Sequence, residues 1–141
     1  MSAQAHHLFV YGTLCKSLGH EMHGVLERAA RLLGEATVQG TLYDLGAYPG
    51  LVIAEGGNGC VKGELYALDP SGAQSALEVL DAYEGCSAVD PEPQEYRREV
   101  LSVRLTDGSE LAAWTYLLNR SHAGLMPVPG GDYVAWIRDR S

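Results

Sequence analysis

Two places in this sequence combine residue types and spacings suited to chemistry. The first is Glu84. Between Asp69 and Gly85 the chain reads as a helix, and Leu77, Leu80 and Glu84 stand at helical i, i+3 and i+7 positions, so the carboxylate shares a face with core leucines. It falls in the last turn, where the negative end of the helix dipole disfavours an anion, and Asp81 one turn earlier adds a like charge. Burial, dipole and repulsion each raise the proton affinity of Glu84, which suits a group that takes up and returns a proton near neutral pH. The other reading of this position is a last-turn glutamate that curls out to water. The second place is Tyr11-Gly12-Thr13-Leu14, a loop at the end of an apolar run. Gly12 lets the backbone turn sharply beside a ligand, and successive N–H groups in such a turn form a concave site for an anion such as a carboxylate. An ordinary tight turn is the competing reading. Neither GxxxxGK[ST] nor GxGxxG is present, so a phosphate or dinucleotide cradle has no support.

Other reactive side chains form weaker patterns. Cys15 follows the loop, but as a nucleophile it would need a base, and the local candidates are His20 and His23. Those two histidines are about one turn apart on an expected helix, yet no HExxH or comparable ligand set accompanies them, so no metal site is expected. Among the tyrosines, Tyr48 in the YPG turn and Tyr96 are candidates to line a pocket. Arg97 and Arg98 are candidates to attract a substrate carboxylate, but they are adjacent on an expected strand, so only one of them can face a given site, and solvated edge charge is the preferred reading.

The elements that must position these residues follow from periodicity and punctuation. Leu8 to Leu14 reads as a strand ending in the Gly-containing loop. From His20 to Leu33, apolar Met22, Val25, Leu26, Ala29 and Leu33 recur at helical spacing, with Gly34 placed as a cap. Strands are expected at 36–44, 51–55 and 60–68, separated by GAYPG and EGGNG turns. Asp69-Pro70 opens a helix over 71–84 that Gly85 stops. Strands 96–105 and 110–118 flank Asp107-Gly108, a hairpin signature, and a short helix starts at Asp132. The expected architecture is a compact α+β domain over residues 1–141, a curled or barrel-like mixed sheet with two main helices.

Composition narrows the function classes. With 141 residues, 46% hydrophobic and 20% charged, the chain is an ordinary globular one and needs no disulfide or metal to hold a core. The net charge of −8, without a basic run, argues against nucleic acid as a partner. Three cysteines without a CxxC pair suggest neither a disulfide framework nor zinc. The N-terminus has no signal-peptide pattern and no apolar run reaches the roughly 18 residues of a membrane span, so no membrane partner and a cytoplasmic location are expected. A small molecule or another protein remains as partner, and the oligomeric state is left open.

Five motifs then occur in one order: YGTL at 11–14, GTLYDLGAYPGLV at 40–52, VKGELYAL at 61–68, LDAYEG at 80–85 and EYRREVLSV at 95–103. Together they resemble the gamma-glutamylcyclotransferase family, and the short YGTL form resembles its gamma-glutamylamine cyclotransferase-like branch. The resemblance spans about residues 8–118; the loop CSAVDPEPQ at 86–94 and the segment after Asn119 depart from it.

The resemblance implies a barrel-like fold with a pocket at its mouth and a cofactor-independent release of 5-oxoproline from a gamma-glutamyl amine or gamma-glutamyl amino acid. Glu84 matches the catalytic glutamate of the family's YEG motif, Tyr11–Leu14 the segment whose backbone holds the glutamyl end, and Tyr116 a pocket tyrosine. The alternative is a non-catalytic binder of a glutamyl-containing or acidic ligand on the same fold, which would not need Glu84.

Overall fold

A computed structural model describes residues 7–11, 30–44, 49–53, 59–69, 73–84, 96–119, 124–128, 131–133 and 135–136. Eight strands are present among them: β1 (His7–Val10), β2 (Ala30–Gln39), β3 (Thr41–Asp44), β4 (Pro49–Val52), β5 (Cys60–Leu68), β6 (Tyr96–Leu105), β7 (Glu110–Leu118) and β8 (Met126–Pro127). The helix α1 spans Ala73–Glu84, with side chains described for 76–81.

Five strands close a barrel in the order β1-β5-β2-β6-β7, and β4-β3-β8 form a separate three-stranded sheet. Antiparallel pairing dominates, with Val10 opposite Glu64 and Val100 opposite Trp114, while the closure is a parallel contact of Leu8 with Trp114. Alternation along the strands sorts the side chains into two clusters. Phe9, Leu65, Val61, Val38, Val103, Ala113 and Leu117 come from all five strands and meet inside the barrel. Leu8, Val10, Tyr66, Leu68, Tyr96, Tyr116 and Leu118 take the opposite parity and face outward, where Leu77 and Leu80 of α1 cover them. At helical spacing those two leucines lie on one face, so α1 buries the stripe that its sequence presents.

The β6–β7 hairpin falls where the sequence places it. Gly108 N–H donates to Leu105 O at 3.0 Å and Leu105 N–H to Ser109 O at 2.9 Å, with Gly108 at φ +90°. This is a three-residue loop with a bulge at the glycine, not a two-residue turn. The short C-terminal helix also begins as expected: Asp132 Oδ1 accepts from Ala135 N–H at 3.1 Å, an N-cap.

The expectation of two main helices is not supported: among the described residues α1 is the one helix of that length. Ala30, Arg31, Leu32 and Leu33, the end of the expected first helix, lie in β2, and the rest of it lies outside the described residues. Gly34 does not cap a helix; it sits at φ +146° where the β2–β5 register shifts between Leu32 and Gly34, a bulge. Ala-Arg-Leu-Leu has good helix propensity, but pairing of Ala30, Arg31 and Leu32 with Leu68, Ala67 and Tyr66 places it in the ladder, with Leu33 the extra residue of the bulge, and tertiary contacts override local preference. The single strand expected over 36–44 is likewise two, broken at Gly40, which separates the barrel from the second sheet.

Candidate active site

The ends of β1 and α1 meet through the strand register. Ala67 near the end of β5 lies opposite His7, the first residue of β1, so α1 starts a few residues later at the end of the barrel where β1 begins. By Asp81 it has reached Tyr116, whose hydroxyl donates to Asp81 Oδ1 at 2.8 Å. Because Leu8 stands level with Trp114 in a parallel pair, Tyr116 stands level with Val10, at the end of β1. Glu84 follows Asp81 by about 4.5 Å along the helix axis, toward the side on which β1 continues into Tyr11. One end of the barrel therefore carries both the backbone of Glu84 and the start of the Tyr11–Leu14 segment.

Tyrosine hydroxyls brace this end. Tyr11 turns into the barrel interior and donates to Tyr116 O at 2.5 Å, and it accepts from Leu51 N–H of β4 at 3.2 Å. Tyr96 packs on the outer face and donates to Pro49 O at 2.6 Å. Both bonds tie β4, and with it the chain leaving residue 48, to the barrel rim. Tyr116 takes the outer face opposite to Tyr11, under α1. Of the residues expected in the site, Tyr11, Tyr96 and Tyr116 thus sit at one end of the barrel on two different faces. Gly12, Thr13, Leu14 and Tyr48 lie outside the described residues, as does the side chain of Glu84, and Cys15, His20 and His23 lie outside them as well.

Asp81 and Arg98 take a different part from the one their sequence context suggests. Arg98 Nε and Nη2 donate to the two carboxylate oxygens of Asp81 at 2.8 and 3.0 Å, and the guanidinium lies 4.2 Å from the Trp114 ring centroid. Asp81 therefore brings a paired charge, not an isolated one, to the last turn of α1. Arg98 is not solvated edge charge; its neighbour Arg97 is, pairing with exposed Glu99 and reaching Asn119 Oδ1 at 3.3 Å. The signal for Arg98 was in the sequence: Tyr96 and Arg98 share a strand face, so a buried Tyr96 puts Arg98 beneath α1.

One buried polar group stands apart. Thr115 Oγ1, on the interior face of β7, has no hydrogen-bond partner among the described residues. No group of three or more possible metal ligands occurs among them, and no helix among them is long and apolar enough to cross a membrane.

A small mixed barrel with α1 laid along it, the helix ending toward the same end of the barrel as β1, defines the structural class. The family model described as gamma-glutamyl cyclotransferase, AIG2-like, matches residues 8–135, and the chain belongs to that family. A Vibrio cholerae serotype O1 protein named "Putative gamma-glutamylcyclotransferase" is 35% identical over 130 residues, covering 91% of this chain and 95% of its own. The solution structure of ytfP from Escherichia coli is similar with a TM-score of 0.62 and 32% identity, covering 94% of this chain and 98% of that one. YkqA from Bacillus subtilis shares the fold, with a TM-score of 0.69 and 23% identity over 98% of this chain; the chain spans 44% of its length. Family membership supports a cyclotransferase role and an enzyme of this type.

Proposed function

We propose that the protein releases 5-oxoproline from a gamma-glutamyl amine or gamma-glutamyl amino acid by ring closure, with Glu84 as the general base and then the general acid. The observation that carries this reading is the convergence of the C-terminal ends of β1 and α1 in a chain of this family.

The substrate's α-amine is the nucleophile, so no serine or cysteine is needed. As an ammonium it cannot attack, and Glu84 removes one proton. The freed nitrogen bonds to the γ-carbonyl carbon and closes the five-membered ring, the bond from that carbon to the leaving nitrogen breaks as Glu84 returns its proton to the departing amine, and the ring nitrogen sheds its second proton to solvent to leave the lactam N–H. Such proton transfers contribute on the order of 10²–10⁴-fold. Backbone N–H groups of the Tyr11–Leu14 segment hold the glutamyl carboxylate, and folding the glutamyl chain back on itself supplies proximity. Tyr48, Tyr96 and Tyr116 border the site; the Tyr96 bond to Pro49 O supports this by fixing the strand that follows Tyr48. The position of Glu84 in the last helical turn favours a proton affinity above that of a solvated glutamate.

The test is 5-oxoproline release, followed by mass spectrometry, from gamma-glutamyl compounds with alkylamine, amino-acid, lysine-side-chain and glutathione-type leaving groups. Release from at least one is expected and ranks the leaving groups. A folded protein that binds glutamate or 5-oxoproline yet releases product from none contradicts the enzymatic reading.

A further inference from the structure

The last turn of a helix is its least constrained part, because its final carbonyls lack intrahelical partners. In α1 this turn contains no basic residue that would compensate the dipole. Among the described side chains, Leu77 and Leu80 supply the apolar anchoring of α1. Beyond Leu80, the described contact between α1 and the barrel is the Asp81 cluster. Three hydrogen bonds converge on that carboxylate, two from the Arg98 fork on β6 and one from the Tyr116 hydroxyl on β7, all between 2.8 and 3.0 Å. A two-point fork fixes orientation as well as separation, which a lysine or a single hydroxyl cannot do. Arg98 is itself seated on the Trp114 ring, a second contact that holds its guanidinium in place.

We propose that Asp81, Arg98 and Tyr116 are positioning residues for the ring closure: they lock the turn of α1 that carries Glu84 onto the strands β6 and β7. The proposal rests on the reading of Glu84 given above. With side chains only 14% and 22% exposed for Asp81 and Arg98, the pair is shielded enough for its geometry to persist. Partly buried pairs of this kind contribute little net stability compared with apolar groups of the same size, whereas their geometry is specific. A misplacement near 1 Å at a reacting group can cost about 10²-fold in rate, so the lock acts on turnover more than on folding.

Arg98→Lys keeps the charge and removes the fork. Its steady-state kinetics are measured on the panel compound with the highest wild-type turnover, alongside calorimetric titration with 5-oxoproline to count competent sites. The expected result is a kcat at least about tenfold lower, KM within about twofold, and an unchanged number of sites per chain. In a Glu84→Gln background the same substitution is expected to lower the residual rate no further, because the lock acts through Glu84. Tyr116→Phe removes one bond to Asp81 and keeps the ring, so it tests the same point with a smaller loss if Arg98→Lys does not fold. Arg104→Lys, in the exposed pair with Glu110 beyond the clamp on β6, serves as the control and keeps wild-type kinetics. Wild-type kcat in both Arg98→Lys and Tyr116→Phe, a loss matched by fewer competent sites, or an equal loss with and without Glu84 overturns the positioning role alone. Full turnover by Glu84→Gln overturns the Glu84 reading and this proposal with it.

Discussion

At the residue scale, the end of the barrel is held by hydroxyls with defined acceptors. Tyr96→Phe removes the buried hydrogen bond to Pro49 O, so it should lower stability by about 1 kcal/mol in denaturant unfolding. Through the mobility it gives β4, it should also weaken binding of 5-oxoproline; an unchanged affinity would mean that Tyr96 has no bearing on the site. Thr115 offers the opposite case. Its Oγ1 is buried without a partner among the described residues, so Thr115→Val, which keeps the shape, should be neutral or stabilising by up to about 1 kcal/mol. A clear destabilisation would show that the hydroxyl is in fact satisfied. The role of Asp81 was open to misreading at this scale, because its partner Arg98 is seventeen positions away in sequence and only the folded hairpin brings the two together.

At the element scale, what is local was legible and what is not local was hidden. β5, β6 and β7 have the ends that alternation and turn residues indicate, and α1 stops at Glu84 before Gly85 as its punctuation indicates. The segment 30–33 was not legible, because helical spacing and pairing with β5 compete for the same residues and pairing lies outside any local window. β8 is two residues long and exists only as a partner for Tyr43 and Asp44, which no periodicity can announce. The β6–β7 turn carries a pH dependence. Ser109, through its hydroxyl and then its N–H, holds the Asp107 carboxyl below the usual aspartate range. A carboxylate favoured in the folded turn contributes its stability above the unfolded aspartate pKa and loses it as pH falls through the lowered folded value. Amide exchange at Gly108 and Ser109 should therefore quicken, relative to the intrinsic rate, as acid protonates Asp107, and Asp107→Ala should abolish that dependence. Dependence that survives the substitution would assign it to another group, with Glu110, held low by Arg104 and Ser102, as the neighbour to examine.

At the scale of the whole molecule, the arrangement that matters comes from closure. A single parallel contact, Leu8 with Trp114, joins the first strand to the last strand of the barrel and sets Val10 level with Tyr116. That register, together with the Tyr11 hydroxyl on Tyr116 O and the Tyr116 hydroxyl on Asp81, relates the end of β1 to the last turn of α1. No pattern in the sequence encodes that contact; the five motifs carried the candidate site instead, by resemblance, and the family match over residues 8–135 agrees with them. Gly63 shows how tightly the closed barrel packs there, since a Cβ on it would lie 2.1 Å from Val10 O. Gly63→Ala should displace the end of β1 and lower both stability and turnover, read by thermal unfolding and 5-oxoproline release; wild-type behaviour in both would show that β1 can move without consequence. The central claim is that this end of the molecule delivers one carboxylate to a ring closure. The direct measurement is 5-oxoproline release by wild type and Glu84→Gln side by side, on a compound that the wild type turns over, with circular dichroism to confirm the fold of each. Loss of at least about a hundredfold in the variant, with the fold kept, is the predicted result; turnover equal to wild type would contradict it.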